Sequence, residues 1–182
     1  MRQGTIPAAV LLCACALAAC GGRPQPAGNT AGASPAPAPK PGATPGPLPN
    51  NAFKAQITLP DAPAKLRAGE KATVTVRVRN ASDVQWFARG AVVNTNPDNR
   101  FYVAAGDRWL KADGQTLVTD MDGRYGIAHD LKPGEEEEVP LTVTAPKEPG
   151  DYVLEVDLVQ EAVSWFSDKG SPTAKAKVTV VR

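Results

Sequence analysis

The chain has 182 residues and carries 20 Lys and Arg against 19 Asp and Glu, a formal charge of +1. No basic field draws nucleic acid, and no acidic field stores cations. A single His and three Cys, all three Cys within the first 20 positions, exclude most zinc sites and any disulfide framework in the mature domain.

At the N-terminus Arg2 supplies a short positive region, and Ile6 to Ala19 is apolar. A bilayer-spanning helix needs about 20 residues, so this shorter run reads as the apolar part of a secretory signal. It ends in Leu17-Ala18-Ala19-Cys20-Gly21, which resembles the bacterial lipobox. The resemblance implies a lipoprotein signal peptide over residues 1–19. Small residues let the peptidase approach the backbone, and the Cys20 thiol carries a diacylglycerol. Cys13 and Cys15 leave with the signal. Three acyl chains hold a protein to a membrane far more firmly than one. By analogy with the retention rule of Gram-negative lipoproteins, Gly at position 21 directs the anchor to the outer membrane. The domain then sits in the periplasm or at the cell surface.

From Gly21 to Asn50 the composition changes abruptly: nine of these 30 residues are Pro, six Ala and six Gly, with no aromatic and no acid. Such a segment cannot bury enough apolar surface to offset chain entropy. Residues 20–50 are therefore expected to be a lipidated Cys followed by a disordered Pro/Ala/Gly linker. Pro35 to Pro39 favours polyproline II, which suits a spacer above a lipid surface.

The remaining 132 residues are enough for one domain with its own core. Residues 51–182 show period-2 alternation and no sustained helical period. Ile57 and Leu59 continue a first strand from Phe53. Val74, Val76 and Val78 share one face of the next, with Thr and Arg on the other. Trp109-Leu110 and Leu117-Val118 flank Asp113-Gly114, a tight hairpin. Val139, Leu141 and Val143 alternate through Pro140, which places that strand at an edge or a bulge. Tyr152, Leu154, Val156 and Leu158 share a face, as do Val178 and Val180. Seven or more short strands between turns predict an all-β, immunoglobulin/fibronectin-III-like antiparallel sandwich. Trp86 occupies the place of a Trp buried between sheets, and Tyr152 that of a tyrosine corner. Val76 and Leu154 stand where a disulfide pair would be.

From about Val76 to Val180 the chain resembles a family of bacterial Ig-like modules appended to glycosyltransferases, methyltransferases and other surface-polysaccharide proteins. The matching pieces are Arg108-Trp109-Leu110 with Asp113-Gly114, Asp122-Gly123-Arg124, and Leu131-Lys132-Pro133-Gly134-Glu135. Most specific is the run from Pro149 to Glu161 leading into Val163-Ser164-Trp165-Phe166 and Gly170. The chain is more distantly similar to the tryptophan-rich Ig-like domain of selective-autophagy receptors. Family members carry Gly where this chain has Ala162. The resemblance implies a fold and a surface-glycan setting, and no reaction.

Several further constellations carry chemically active residue types. Asp120-Met121-Asp122-Gly123 begins like a calcium loop, but position twelve is Leu131 rather than Glu. A looser site would need Asp120, Asp122 and Asp130, and a Gly-containing turn explains the motif as well. Glu135 to Glu138 read as a solvated strand entry. His129 beside Asp130 is a poor dyad because neighbours on an extended backbone point apart. Ser164 lacks a nucleophile elbow. Glu155 and Asp157 share a strand face, the default of a solvent-facing surface. The expectation is a protein with no catalytic residue, no metal and no cofactor.

The segment after Gln160 must connect two strands at one end of the sandwich, and Trp165 and Phe166 are adjacent, so one of them should be exposed. The candidate ligand patch is therefore Arg108, Trp109, Arg124, Glu161, Trp165 and Phe166. Its aromatics would stack on sugar and its charged groups would bond hydroxyls or acidic sugars. The alternative for each Trp is closure of the core. The expected protein is an envelope lipoprotein with a non-catalytic binding module for an envelope polysaccharide or a protein handling one. It is held to the membrane through Cys20. The second expectation is a structural accessory subunit of an envelope assembly or secretion complex, and the third a small hydrolase.

Overall fold

The computed structural model describes residues 45–89 and 99–182. The expected signal peptide, Cys20 and most of the expected linker lie outside the described residues. In chain order the strands are β1 (Ala55–Thr58), β2 (Lys65–Arg67), β3 (Lys71–Asn80), β4 (Val103–Lys111), β5 (Leu117–Gly126), β6 (Glu136–Thr144), β7 (Gly150–Gln160), β8 (Ser164–Trp165) and β9 (Ala174–Val181). Asn50–Ala52 and Ser167–Lys169 form short 3-10 turns.

The strands form two sheets, ordered β1-β3-β6 and β2-β9-β7-β4-β5. β8 pairs with β7 at Val159 and Gln160, beyond the stretch where β9 pairs with it. The alternation explains the layers. Val74, Val76 and Val78 of β3 and Val139, Leu141 and Val143 of β6 face Leu154, Val156 and Leu158 of β7 and Val178 and Val180 of β9, all buried in one core. Each such side chain contributes roughly 1.5–3 kcal/mol by leaving water. This is the immunoglobulin-like sandwich, with Val76 and Leu154 both fully buried. One pairing departs from the antiparallel expectation. β2 runs parallel to β9, because the chain crosses from the small sheet to the large one between β1 and β2.

Pro140 lies on β6, an edge of the smaller sheet, where a missing N–H costs no ladder bond. The Tyr152 hydroxyl donates to the Glu148 carbonyl at 2.9 Å, the tyrosine corner. Trp86 is buried as expected, but it sits in an isolated bridge to Leu131 rather than a long strand. Its Nε1 donates to the Ala52 carbonyl at 3.0 Å.

The packed domain begins earlier than residue 51. Leu48 is buried, and its N–H donates to Gln160 Oε1 at 2.9 Å. Gln160 Nε2 donates to the carbonyls of Gly46 and Phe101. A Pro-rich segment has no core of its own, but a fixed buried amide and one Leu are enough to seat its last residues.

Candidate functional site

Gly106 in β4 is the centre of the site. In register it faces Arg124 of β5 on one side and Asp157 of β7 on the other. Two residues along β4, Arg108 faces Glu155 of β7. All five point to the outer face of the large sheet, opposite the core. The chain leaving β7 folds back over this face through β8 and lays Trp165 on Gly106. A Cβ at position 106 would sit 2.9 Å from the Trp165 ring, so only Gly lets the indole approach the sheet. The Arg124 guanidinium lies 4.8 Å from the Trp165 ring centroid and that of Arg108 5.7 Å, both in cation–π range.

Carboxylates hold those cations. Arg124 Nη1 pairs with Glu161 Oε1. Arg108 lies 3.4 Å from Glu155 and 3.9 Å from Asp157. Lys175 of β9 approaches Glu155 at 3.2 Å, and the Thr173 hydroxyl donates to Glu155 at 2.7 Å. Glu155 and Asp157 do share a face, but that face is not solvated: Asp157 is 1% exposed. Its oxygens accept from the N–H groups of Leu158 and Ser167, which anchors the chain after Trp165. Burial raises the Asp157 carboxyl above its ordinary pKa. The loop following β7 covers these two carboxylates, and the strand pattern alone contained no sign of that cover.

The six patch residues separate into two groups. Arg108, Arg124, Glu161 and Trp165 come together. Trp109 and Phe166 do not belong with them. Trp109 projects from the opposite face of β4, is 0% exposed and packs edge-on against Tyr152. Phe166 is buried edge-on against both Phe53 and Trp86, at 5.0 Å centroid spacing in each case. Of the two adjacent rings, Phe166 turns inward and Trp165 lies half-buried on the outside.

The connection from β7 to β8 and the segment bonded to it are strained. Ala162 has φ +60° and Phe101 φ +74°, both left-handed and neither Gly. The two meet at one end of the sandwich. Phe101 N–H donates to the Glu161 carbonyl, and Glu161 N–H to the Tyr102 carbonyl. Such strain is held only where neighbours over-determine it, and it gathers at functional sites.

The remaining constellations are structural. Asp120-Met121-Asp122-Gly123 is a bulge inside β5, not a turn. Asp130 lies past the far end of that strand and accepts from Gln85 and from the Ala88 N–H. No group of three potential ligands suits a metal among the described residues. Of the acidic run, Glu138 pairs with Arg77 on the surface, but Glu137 is not solvated. It accepts from the Ala128 N–H and lies 2.8 Å from His129, and its partial burial raises its pKa. The two residues sequence reasoning missed are Gly106 and Asp107. The signal was present: Ala104-Ala105-Gly106-Asp107 breaks the alternation in mid-strand, the mark of a close approach or bulge.

No protein-family model matches the chain, and no curated protein does. Solved structures do resemble it. A CARDB domain from Pyrococcus furiosus, described in complex with di-metal ions, is 15% identical, covers 70% of this chain and 93% of its own, and has a TM-score of 0.42. The sporulation control protein Spo0M of Bacillus subtilis is 16% identical over 71% of this chain and 49% of its own, at a TM-score of 0.38. A β-glucosidase from Listeria innocua, in complex with glucose, is 18% identical over 71% of this chain but 16% of its own, at a TM-score of 0.40.

Proposed function

We propose that this protein is a lipid-anchored envelope module that binds a polysaccharide, or a protein handling one, without catalysis. The observation that carries the reading is Trp165, seated on Gly106 and flanked by Arg108 and Arg124. A half-exposed indole framed by charged groups that are already paired is suited to stack on a sugar ring and bond its hydroxyls. Donors and acceptors held in place beforehand lose little entropy on binding. The backbone strain at Ala162 and Phe101, beside Glu161, favours the same end of the molecule. Cys20 attaches the module to the outer membrane, and residues 21–45 set its distance from the lipid.

Binding to a glycan array tests the reading, with Trp165→Ala as the control. Retained binding in that variant moves the site elsewhere, and no binding by either protein removes the glycan. Cys20→Ala is expected to leave unprocessed precursor without labelled fatty acid. Persistent acylation of that variant refutes the anchor.

A second reading has its own observation. β5 is a ten-residue edge strand, and it exposes Leu117 and Val118 at one end. An accessory subunit would use this edge to pair with a partner strand. One stoichiometric partner recovered under mild detergent, and lost when Val118 is changed to Lys, favours it.

A further inference from the structure

The bulge in β5 is held from inside the sandwich. Between the pairs Gly106↔Arg124 and Arg108↔Asp120, β4 advances two residues while β5 advances four. The surplus brings Gly123 against β6, where a Cβ would lie 2.2 Å from the Thr142 carbonyl oxygen. Only Gly closes that seam. The Gly123 N–H donates to Asp107 Oδ1 at 2.7 Å, a side chain in place of a ladder carbonyl.

Asp107 points into the core. It is 2% exposed, and its Oδ2 has no hydrogen-bond partner. Burial pushes this carboxyl up to about 7, and the charge of Asp122 adds to the effect. Asp122 is the titratable neighbour from β5. β6 brings Leu141 and Thr142 to this point and β7 brings Val156, none of which titrates. Lys71 and Arg124 line a hollow of about 310 Å³ on the outer side of Gly123. A neutral acid is stable in this position. An ionised one has a dry second oxygen, and a single bond from Gly123 does not offset the desolvation of a full charge. Gly123 itself lines that hollow.

The next residue is Arg124, which alternates to the outer face and lies over Trp165. One peptide thus joins the buried acid to the candidate site. We propose that Asp107 is a protonation switch for that site: neutral, it seats Gly123 and fixes Arg124 over Trp165; ionised, it draws water into the β5–β6 seam and loosens both. The consequence for ligand binding rests on the function proposed above. The switch itself does not, and it is read without ligand.

The test is a pH titration of the full-length chain by NMR. The Asp107 Cγ, the Gly123 and Arg124 amides and the Trp165 indole N–H are expected to move together, with one midpoint near 7. Asp107→Asn keeps an acceptor for Gly123 and cannot ionise, so its indole signal should stay at the acid-form position. His129→Gln removes the chain's single imidazole and should leave the midpoint unchanged. A midpoint that survives Asp107→Asn, or vanishes with His129→Gln, overturns the switch. So does an Asp107 Cγ that titrates in the ordinary carboxylate range, a result that needs no variant to fold. A shared midpoint in a protein that binds no glycan leaves the switch standing and retires the ligand reading.

Discussion

Trp109 and Trp165 lie against opposite faces of one strand, β4, and experience different physics. Trp109 is sealed in the core, edge-on to Tyr152, and its Nε1 finds no hydrogen-bond partner. Its environment is apolar and its contribution is burial. Trp165 rests on the outside, where Gly106 makes room and two guanidinium groups flank the ring. Its environment is charged, and most of those charges are already paired. The same residue type therefore serves stability on one face and, in the function proposed above, recognition on the other, with the thickness of one strand between them.

The largest way to separate the faces is to empty the inner one. Trp109→Ala and Trp86→Ala should each cost roughly 3–5 kcal/mol, a large share of the stability of such a domain, measured by urea unfolding. A small loss for either would mean that the core closes without it.

The next effect is pH. The two buried acids on either side of the β4–β7 pair, Asp107 inside and Asp157 outside, are both raised by burial. Asp107 titrates near 3.8 in the unfolded chain and near 7 in the fold, so the unfolded chain releases its proton first. Its share of the stability is complete below about 3.8 and is lost as pH rises towards about 7. The slope is at most about 1.4 kcal/mol per pH unit. Asp107→Asn should flatten that fall in thermal melts across the same range. An unchanged slope would assign the fall to the other acids raised by burial, Asp157 and Glu137. Asp113 behaves oppositely: hydrogen bonds from Thr116 and Gln115 lower it to about 2, so its support for the hairpin turn persists until strong acid.

On the outer face, Trp165→Ala should cost only about 1–2 kcal/mol while removing ligand binding. Gly106→Val sharpens the contrast, because it displaces the indole without touching it chemically. Both variants should fail in binding with modest change in melting temperature. A Trp165→Ala variant as unstable as Trp109→Ala would make the outer Trp a packing residue. The smallest effect belongs to the corner: Tyr152→Phe should lose about 1 kcal/mol, the net value of one hydrogen bond, with no change at Trp165.

The sequence by itself determined the sandwich. Alternating Val and Leu can bury one face only as strands, Pro140 must take an edge, and Asp113-Gly114 must turn. Val76, Leu154, Trp86 and Tyr152 were legible because each fills a place that the fold creates locally. The site was half legible. Arg108, Arg124, Glu161 and Trp165 were marked by type, but period 2 alone did not separate Trp109 from Arg108 by function, nor Trp165 from Phe166 by side. Those assignments depend on which face of β4 meets the other sheet and on how the chain after β7 folds back. Tertiary structure decided the rest. It seated Leu48 on Gln160, buried Asp157 under its own loop, and turned Asp107 inward at a bulge whose register no single strand specifies. The physical reason is range: alternation and turn chemistry act within a few residues, whereas the burial of a charge depends on partners that only the closed sandwich brings together.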